Sequence, residues 1–234
     1  MLIIFDVDGT LIGGESHDWE SFDRAIETVV GFYPTQEFFD SLPEITAQAI
    51  AEASVHAANM QLGIGLEERI HDEYLRRLRD AHSRDPQAFQ PRTGVVQFLS
   101  YLSSLPGVGI AIATGDWHAT ISFKLAAAGI DGSRFPMATC SDHPRRSEII
   151  RLAAQRAGRS LSDAIYIGDG VWDLRACREL GVRFIGTGSR LHLLKKAGAE
   201  HTAEVLDEAL LWNLVASAAV QRRAGFDPGL VVEV

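Results

Sequence analysis

Two aspartates, Asp6 and Asp8, follow a short apolar run at the start of the chain. Gly9 and Thr10 come next, so the run ends in a polar break of the kind that terminates a buried strand. Two carboxylates this close repel each other, which raises their pKa values unless a cation compensates. A hard ion such as Mg²⁺ would resolve the repulsion, but a simple turn capped by aspartate explains these residues equally well.

Polar side chains also follow two later apolar segments. Thr114 comes directly after the segment 108–113, and Asp169 lies just beyond the segment 164–167, with Asp173 four positions further on. Because the carboxyl ends of parallel strands meet at one edge of an open sheet, we expect these residues to converge with the first two aspartates. Singly each could be a helix cap or a turn. Together they supply the groups that bind magnesium and a phosphoryl group.

The elements that must position these residues are indicated from Arg92 onward, where strand patterns alternate with helical patterns. The alternation predicts an α/β fold with a doubly wound parallel sheet and a Rossmann-like core. Besides the apolar run before Asp6, strands are predicted at 108–113, 136–140, 164–167 and 182–185. Helices are predicted at 93–105, 117–128, 147–157, 171–180, 191–197 and 207–220.

The segment between the first strand and Arg92 has helical periodicity and no convincing buried strand. We predict a first helix capped by Asp18, a second over 43–58 and a third over 66–81. The predicted division of the chain is therefore an α/β core over 1–12 and 91–221, a helical cap over 13–90 inserted after the first strand, and a C-terminal tail over 222–234.

The composition is that of an ordinary globular protein, with 234 residues of which 46% are hydrophobic and 23% charged. No apolar run reaches the roughly 18 residues that a membrane span needs, and no signal-peptide pattern is visible. Cys140 and Cys177 are far apart and lack a zinc-site pattern, so we expect buried free thiols in a reducing compartment. These features predict a cytoplasmic protein without a membrane partner.

The net charge of −9 argues against nucleic acid as a partner, because binding to a phosphate backbone needs clustered lysine and arginine. It does not argue against a small phosphorylated substrate, since a bound cation and one or two placed basic residues reverse the local field. The sequence does not indicate an oligomeric state.

Four motifs in this order resemble the haloacid dehalogenase superfamily, in its magnesium-dependent phosphatase branch. They are Asp6-Val7-Asp8-Gly9-Thr10, then Thr114 after a buried strand, then a basic residue, then Gly168-Asp169-Gly170-Val171-Trp172-Asp173. Thr114-Gly115-Asp116, followed by Lys124-Leu125 and Ala128-Gly129, also resembles phosphoglycolate-phosphatase-like members. The resemblance covers residues 1–11 and 92–205, and the first and fourth motifs together are highly specific.

The resemblance implies a role for each matched residue. Asp6 would be the nucleophile that attacks phosphorus, and Asp8 the general acid and base. Thr114 would hydrogen-bond a phosphoryl oxygen. Arg146, in preference to Arg145, would stabilise the phosphoryl charge, because it lies three residues before the first of two apolar helix positions. The family more often has lysine there, so the sequence departs from the family pattern at this motif.

The resemblance also implies a magnesium site and a substrate contact. Asp169 would hold Mg²⁺ together with the Asp6 carboxylate and the backbone carbonyl of Asp8, and Asp173 would complete the metal site directly or through water. Gly115 and Asp116, which follow Thr114 in the second motif, are predicted to contact the substrate. The cap would close over a small phosphorylated metabolite and exclude bulk water.

Two alternatives to a phosphatase stay open. Similar motifs serve phosphomutases, which transfer the phosphoryl group to a second hydroxyl of a sugar phosphate instead of to water. The chain could instead be a non-catalytic phosphate-binding module that has kept the fold. The presence of both Asp6 and Asp8 speaks against the second alternative.

Overall fold

The computed structural model of the protein describes residues 1–61, 63–207, 209 and 210. Its centre is a five-stranded sheet in the order β3-β2-β1-β4-β5, and every neighbouring pair is parallel. The strands are β1 (Leu2–Phe5), β2 (Gly109–Ala113), β3 (Met137–Ala138), β4 (Ala164–Gly168) and β5 (Arg183–Gly186). The predicted doubly wound α/β sheet is therefore confirmed.

Nine α-helices surround or extend this sheet within the described residues. They are α1 (Glu15–Val30), α2 (Gln36–Ser41), α3 (Ala47–Ala57), α4 (Ile64–Arg84), α5 (Val95–Ser104), α6 (His118–Ala127), α7 (Arg146–Arg156), α8 (Val171–Leu180) and α9 (Leu191–Lys196). All four residues of β1 are buried, as expected for a central parallel strand covered by helices on both faces. None of the described helices has the length and apolarity that crossing a membrane requires.

Helices α1 to α4 leave the sheet and return to it at one place. Ile12 forms a β-bridge with Pro91, and the Gly13 N–H donates to the Gln90 carbonyl at 2.9 Å. We call this pair of adjacent chain segments the neck. Beyond it, α1 and α4 pack closely along each other. The chain thus leaves the sheet and returns to it through two segments that lie side by side.

Several predicted boundaries in this segment are wrong. The first helix begins at Glu15 instead of being capped by Asp18, because Gly14 adopts a left-handed φ of 92° and a side chain there would collide with the Ala88 carbonyl. The helix predicted over 43–58 begins only at Ala47, where the Thr46 hydroxyl accepts from the Ala49 N–H at 3.2 Å.

Two further differences concern short or weakly patterned elements. Helix α2 is absent from the predicted elements. Its six residues lie between two prolines, and none of the six is buried. The third strand has two residues instead of the predicted five, because only Met137 and Ala138 pair with β2. The helix predicted over 207–220 and the tail over 222–234 lie largely or wholly outside the described residues.

Candidate active site

The carboxyl ends of β1, β2 and β4 bring the predicted residues to one cleft of about 70 Å³. Asp6 follows β1, Thr114 follows β2 and Asp169 follows β4, and all three are buried and line the cleft. Register explains the convergence, since Phe5 of β1 lies opposite Ile112 of β2 and the strands on either side of β1 run parallel to it. The cleft therefore lies where an open parallel sheet binds its ligands.

Asp6 faces both a hydroxyl and a guanidinium. The Thr114 hydroxyl hydrogen-bonds its carboxylate, and Arg146 Nη1 lies 3.5 Å from Asp6 Oδ1. The Asp6 N–H donates to the Ile167 carbonyl at 2.9 Å, which fixes the backbone beside β4. Burial raises the pKa of Asp6 above its ordinary value, and the charge of Arg146 opposes that rise. Asp6 is therefore a buried carboxylate whose charge depends on neighbouring cations.

The structure distinguishes the two candidate arginines clearly. Arg146 is buried at the start of α7, and its Nη1 lies 3.2 Å from Asp173 Oδ1 as well as near Asp6. A side chain at Gly115 would collide with the Arg146 guanidinium, so this close approach requires glycine. Arg145 points away and pairs with Glu179 at 2.7 Å on the surface. Of these two arginines, only Arg146 reaches the cleft.

Three buried carboxylates, from Asp6, Asp169 and Asp173, have oxygens that all lie within 4.8 Å of one another. Asp173 is held in place by the Gly170 N–H at 3.1 Å and by the Tyr166 hydroxyl at 3.2 Å. Carboxylate oxygens at this spacing repel one another and are the ligands that Mg²⁺ prefers. The residues present therefore fit a hard divalent cation.

Arg190, which the sequence did not single out, lies beside this group of carboxylates. Its Nη2 is 3.0 Å from Asp169 Oδ2, and its guanidinium stacks over the Trp172 ring at 5.3 Å. Burial and the charge of Asp6 raise the pKa of Asp169 to about 6, and Arg190 counteracts part of that rise. The only available signal was its position after the fifth predicted strand, at the same sheet edge as the other residues.

Asp8 belongs to a second group, centred on a lysine with no exposed surface. Lys124 Nζ, from α6, lies 2.7 Å from Asp8, 2.7 Å from Asp18 and 2.8 Å from Asp116. The Tyr74 hydroxyl donates to Asp18 at 2.5 Å. We call these five residues the Lys124 cluster. One oxygen of the Asp8 carboxylate thus faces the Lys124 ammonium, and the role of the Asp8 backbone carbonyl in the metal site stays a prediction.

Three carboxylates face one ammonium in the Lys124 cluster, so negative charge is in excess. Burial and the charge of Asp18 raise the pKa of Asp8 well above its ordinary value, and Lys124 limits the rise. Burial alone would lower the pKa of Lys124, but its three partners outweigh burial and raise it well above its ordinary value. Lys124 therefore stays charged, and Asp8 can hold a proton at a higher pH than an exposed aspartate.

The two residues predicted to contact the substrate line the cleft but already have internal partners. The Gly115 carbonyl accepts from the Ala47 N–H at 2.7 Å. The Asp116 carboxylate accepts from the Trp117 N–H at 2.7 Å and from Lys124. Their side-chain and carbonyl groups thus join β2 to the helical segment and to α6, and Asp116 contributes charge to the cleft.

Asp23, on α1 near the Lys124 cluster, gives a pH-dependent prediction about stability. Burial and the charge of Asp18 raise its pKa from 3.8 to about 6, so the folded state binds the proton more tightly than the unfolded state. The associated stability is present below about pH 4 and is lost as the pH rises through about 6. We expect Asp23→Asn to stabilise the protein at pH 7 by roughly 1 kcal/mol, a value discounted because Asp23 is partly exposed.

Urea unfolding of Asp23→Asn and the unmodified protein between pH 4 and 8 measures this difference. The gain should shrink as the pH falls toward about 4, because Asp23 is then protonated in the folded state and increasingly protonated in the unfolded state as well. A gain that is equal at every pH would show that the charge of Asp23 is not its cause.

The doubly wound sheet and the carboxylate-lined cleft at its carboxyl edge place the protein in the class of α/β proteins with a ligand site at the strand ends. The family profile described as haloacid dehalogenase-like hydrolase matches residues 3–187. The chain therefore belongs to the haloacid dehalogenase-like hydrolase family, and it is a hydrolase of that family. No curated protein sequence matches the chain significantly.

Several solved structures share the fold. A hydrolase from Pseudomonas syringae superposes with a TM-score of 0.72 at 20% identity, covering 92% of this chain and 97% of that one. A β-phosphoglucomutase from Clostridium difficile gives 0.72 at 17% identity, covering 94% and 98%. CbbY from Rhodobacter sphaeroides, in complex with phosphate, gives 0.68 at 19% identity, covering 88% and 95%. At these identities the likeness concerns the fold.

Proposed function

We propose that the protein is a magnesium-dependent phosphatase that hydrolyses a small phosphomonoester through an aspartyl-phosphate intermediate. The observation that carries the proposal is the position of Asp6, which faces Thr114, Arg146 and the carboxylates of Asp169 and Asp173 in one buried cleft. This is a nucleophile surrounded by groups that bind a phosphoryl group and its counter-ion. Membership of the hydrolase family and the phosphate in the CbbY structure agree with it.

In the first step, an Asp6 carboxylate oxygen attacks phosphorus and the ester P–O bond breaks. The leaving oxygen takes a proton from Asp8, whose raised pKa suits a general acid. The Thr114 hydroxyl donates to a phosphoryl oxygen, and the Arg146 guanidinium stabilises the negative charge on the transferred group. The products of this step are the alcohol and a phosphorylated Asp6.

In the second step, a water molecule attacks the phosphorus of the phosphorylated Asp6. Asp8, now ionised, takes a proton from that water as a general base, and the bond between Asp6 and phosphorus breaks. Inorganic phosphate leaves and both aspartates return to their starting states. Lys124, 2.7 Å from Asp8, holds this carboxylate in place throughout.

Asp6, Asp169 and Asp173, with the backbone carbonyl of Asp8, would hold Mg²⁺. When bound, the ion supplies positive charge that reduces the repulsion between the Asp6 carboxylate and the phosphoryl oxygens. Arg190, whose Nη2 lies 3.0 Å from Asp169 Oδ2, would help to balance the charge of Asp169.

We propose that residues 13–90 form a cap over the cleft, and that the α/β core comprises 1–12 and 91–221. The neck at Ile12 and Pro91 supports these boundaries. Asp18 and Tyr74 join the cap to the core through Lys124, which also contacts Asp8. A closed cap would keep bulk water from the first step. The buried free thiols of Cys140 and Cys177 support a reducing, cytoplasmic location.

The phosphatase proposal is tested by measuring inorganic phosphate released from a panel of phosphomonoesters, including aryl phosphates, with and without Mg²⁺. We expect release from at least one small ester, and its loss when the metal is removed by a chelator and return when Mg²⁺ is restored. Transfer of the phosphoryl group to a second hydroxyl of a sugar phosphate without net release would identify a phosphomutase. Neither release nor transfer across the panel would identify a non-catalytic module.

A further inference from the structure

Next to Asp8, the cleft is walled by the helical segment 13–90, whose Asp18 and Tyr74 belong to the Lys124 cluster. This wall also includes the rings of Trp19 and Phe22, whereas Glu15 lies near Asp169 at the phosphoryl end. Among the described residues of 13–90, none that lines the cleft is lysine, arginine or histidine. The end of the cleft that would receive the alcohol of a phosphomonoester is therefore aromatic and acidic.

The Lys124 cluster cannot supply positive charge to that end. Lys124 has no exposed surface, and its ammonium already faces Asp8, Asp18 and Asp116 within 2.8 Å. The cluster therefore presents carboxyl groups, and no unpaired cation, to the cleft.

The two basic residues that line the cleft are likewise paired with carboxylates, and both lie at its phosphoryl end. Arg146 contacts Asp6 and Asp173, and Arg190 contacts Asp169. Within the described part of the chain, the lining thus offers no cation to a second anionic group on the substrate.

We propose that the alcohol released by the enzyme is small and carries no anionic group. This inference rests on the proposed function, because it concerns the leaving group of that same reaction. A carboxylate or a second phosphate on the alcohol would lie against Asp18 and Asp116 in a partly buried site, where like charges repel strongly. An uncharged alcohol avoids this repulsion, and an aminoalkyl phosphate gains attraction. The whole cleft, its phosphoryl end included, offers only about 70 Å³, which leaves little room for a large alcohol.

The same charge distribution favours transfer to water over transfer to sugar. A phosphomutase must form a bisphosphate when the phosphorylated Asp6 gives its phosphoryl group to a second hydroxyl. The second phosphate of that bisphosphate would then occupy the acidic end of the cleft. Excluding it removes the intermediate on which the mutase reaction depends.

The test compares three phosphomonoesters of two-carbon alcohols: ethyl phosphate, phosphoethanolamine and phosphoglycolate, whose alcohols are neutral, cationic and anionic. Values of kcat/KM for phosphate release are measured with the unmodified protein and Mg²⁺. We expect phosphoglycolate to be at least about tenfold poorer than ethyl phosphate, and phosphoethanolamine to equal or exceed ethyl phosphate. Phosphoglycolate that reacts as well as ethyl phosphate would overturn the proposal.

A charge-removing variant tests the cause of the discrimination. In Asp18→Asn, one negative charge leaves the acidic end, so the ratio of kcat/KM for phosphoglycolate to that for ethyl phosphate should rise severalfold. The matched control is Glu20→Gln, an exposed residue of the same helix, in which this ratio should not change. Because each ratio compares two substrates on one protein, a uniform loss of activity does not affect it. An unchanged ratio in Asp18→Asn would contradict the assigned cause.

The outcomes separate this inference from the phosphatase proposal. If any member of the wider phosphomonoester panel releases phosphate and phosphoglycolate is among the best substrates, the phosphatase proposal stands and this inference fails. If no member releases phosphate, both fail together.

Discussion

Asp6→Asn is expected to lower the rate of phosphate release at least about a thousandfold, with little change in melting temperature. The amide keeps the shape of the side chain but is a poor nucleophile, so the phosphorylated aspartate cannot form. Stability should be kept because the change removes one charge from a buried group of carboxylates that repel one another. The rate is measured on the most active member of the phosphomonoester panel.

The matched control for this variant is Asp72→Asn, the same chemical change at a side chain that is 82% exposed on α4. Its activity should equal that of the unmodified protein. Acid quenching of the unmodified protein during turnover, followed by peptide mass spectrometry, should locate a phosphoryl group on Asp6. Turnover that survives in Asp6→Asn would remove this residue from the nucleophile position.

Lys124→Met is expected to destabilise the fold by roughly 3–5 kcal/mol, because it leaves the Asp8, Asp18 and Asp116 carboxylates buried without their common cation. Methionine is close to lysine in length and apolar, so lost packing contributes little. The free energy of unfolding is measured with urea at pH 7.

The control for this variant is Lys195→Met, which removes an exposed lysine of α9 and should change the free energy of unfolding by less than about 0.5 kcal/mol. A pH series identifies the cause. Without Lys124 the folded pKa values of Asp8 and Asp18 rise further, so the folded state of the variant binds protons more tightly and regains stability as the pH falls. The difference in the free energy of unfolding between Lys124→Met and the unmodified protein should therefore become smaller toward about pH 5. A difference that is independent of pH would indicate a packing defect instead.

The sheet and half of the cleft could be predicted because local signals specify them. Apolar runs mark β1, β2 and β4, and parallel strands bring whatever follows them to one edge, so Asp6, Thr114 and Asp169 meet. The two-residue β3 and the six-residue α2 were misjudged because elements this short leave almost no periodicity to detect.

The Lys124 cluster shows why the other half of the cleft could not be predicted. Lys124 lies 116 positions from Asp8 and 106 from Asp18, and no local pattern encodes a charge pairing over such separations. The one local signal was a lysine between Ile121 and Leu125 on the buried face of α6, where a charge must find partners. That signal indicates a buried ion pair but does not identify the carboxylates that complete it.

The neck has a consequence for how this molecule could be altered. Because Gly13 and Gln90 lie side by side, the 13–90 segment could be cut out and replaced by another helical segment of different length without stretching the sheet. A graft of that kind would bring its own residues in place of Asp18 and Tyr74, and so would exchange the wall that surrounds the alcohol. The proposed nucleophile Asp6, with Thr114 after β2 and Arg146 on α7, would stay in place. If the proposed function holds, selectivity and bond breaking would be carried by separately exchangeable parts of the chain.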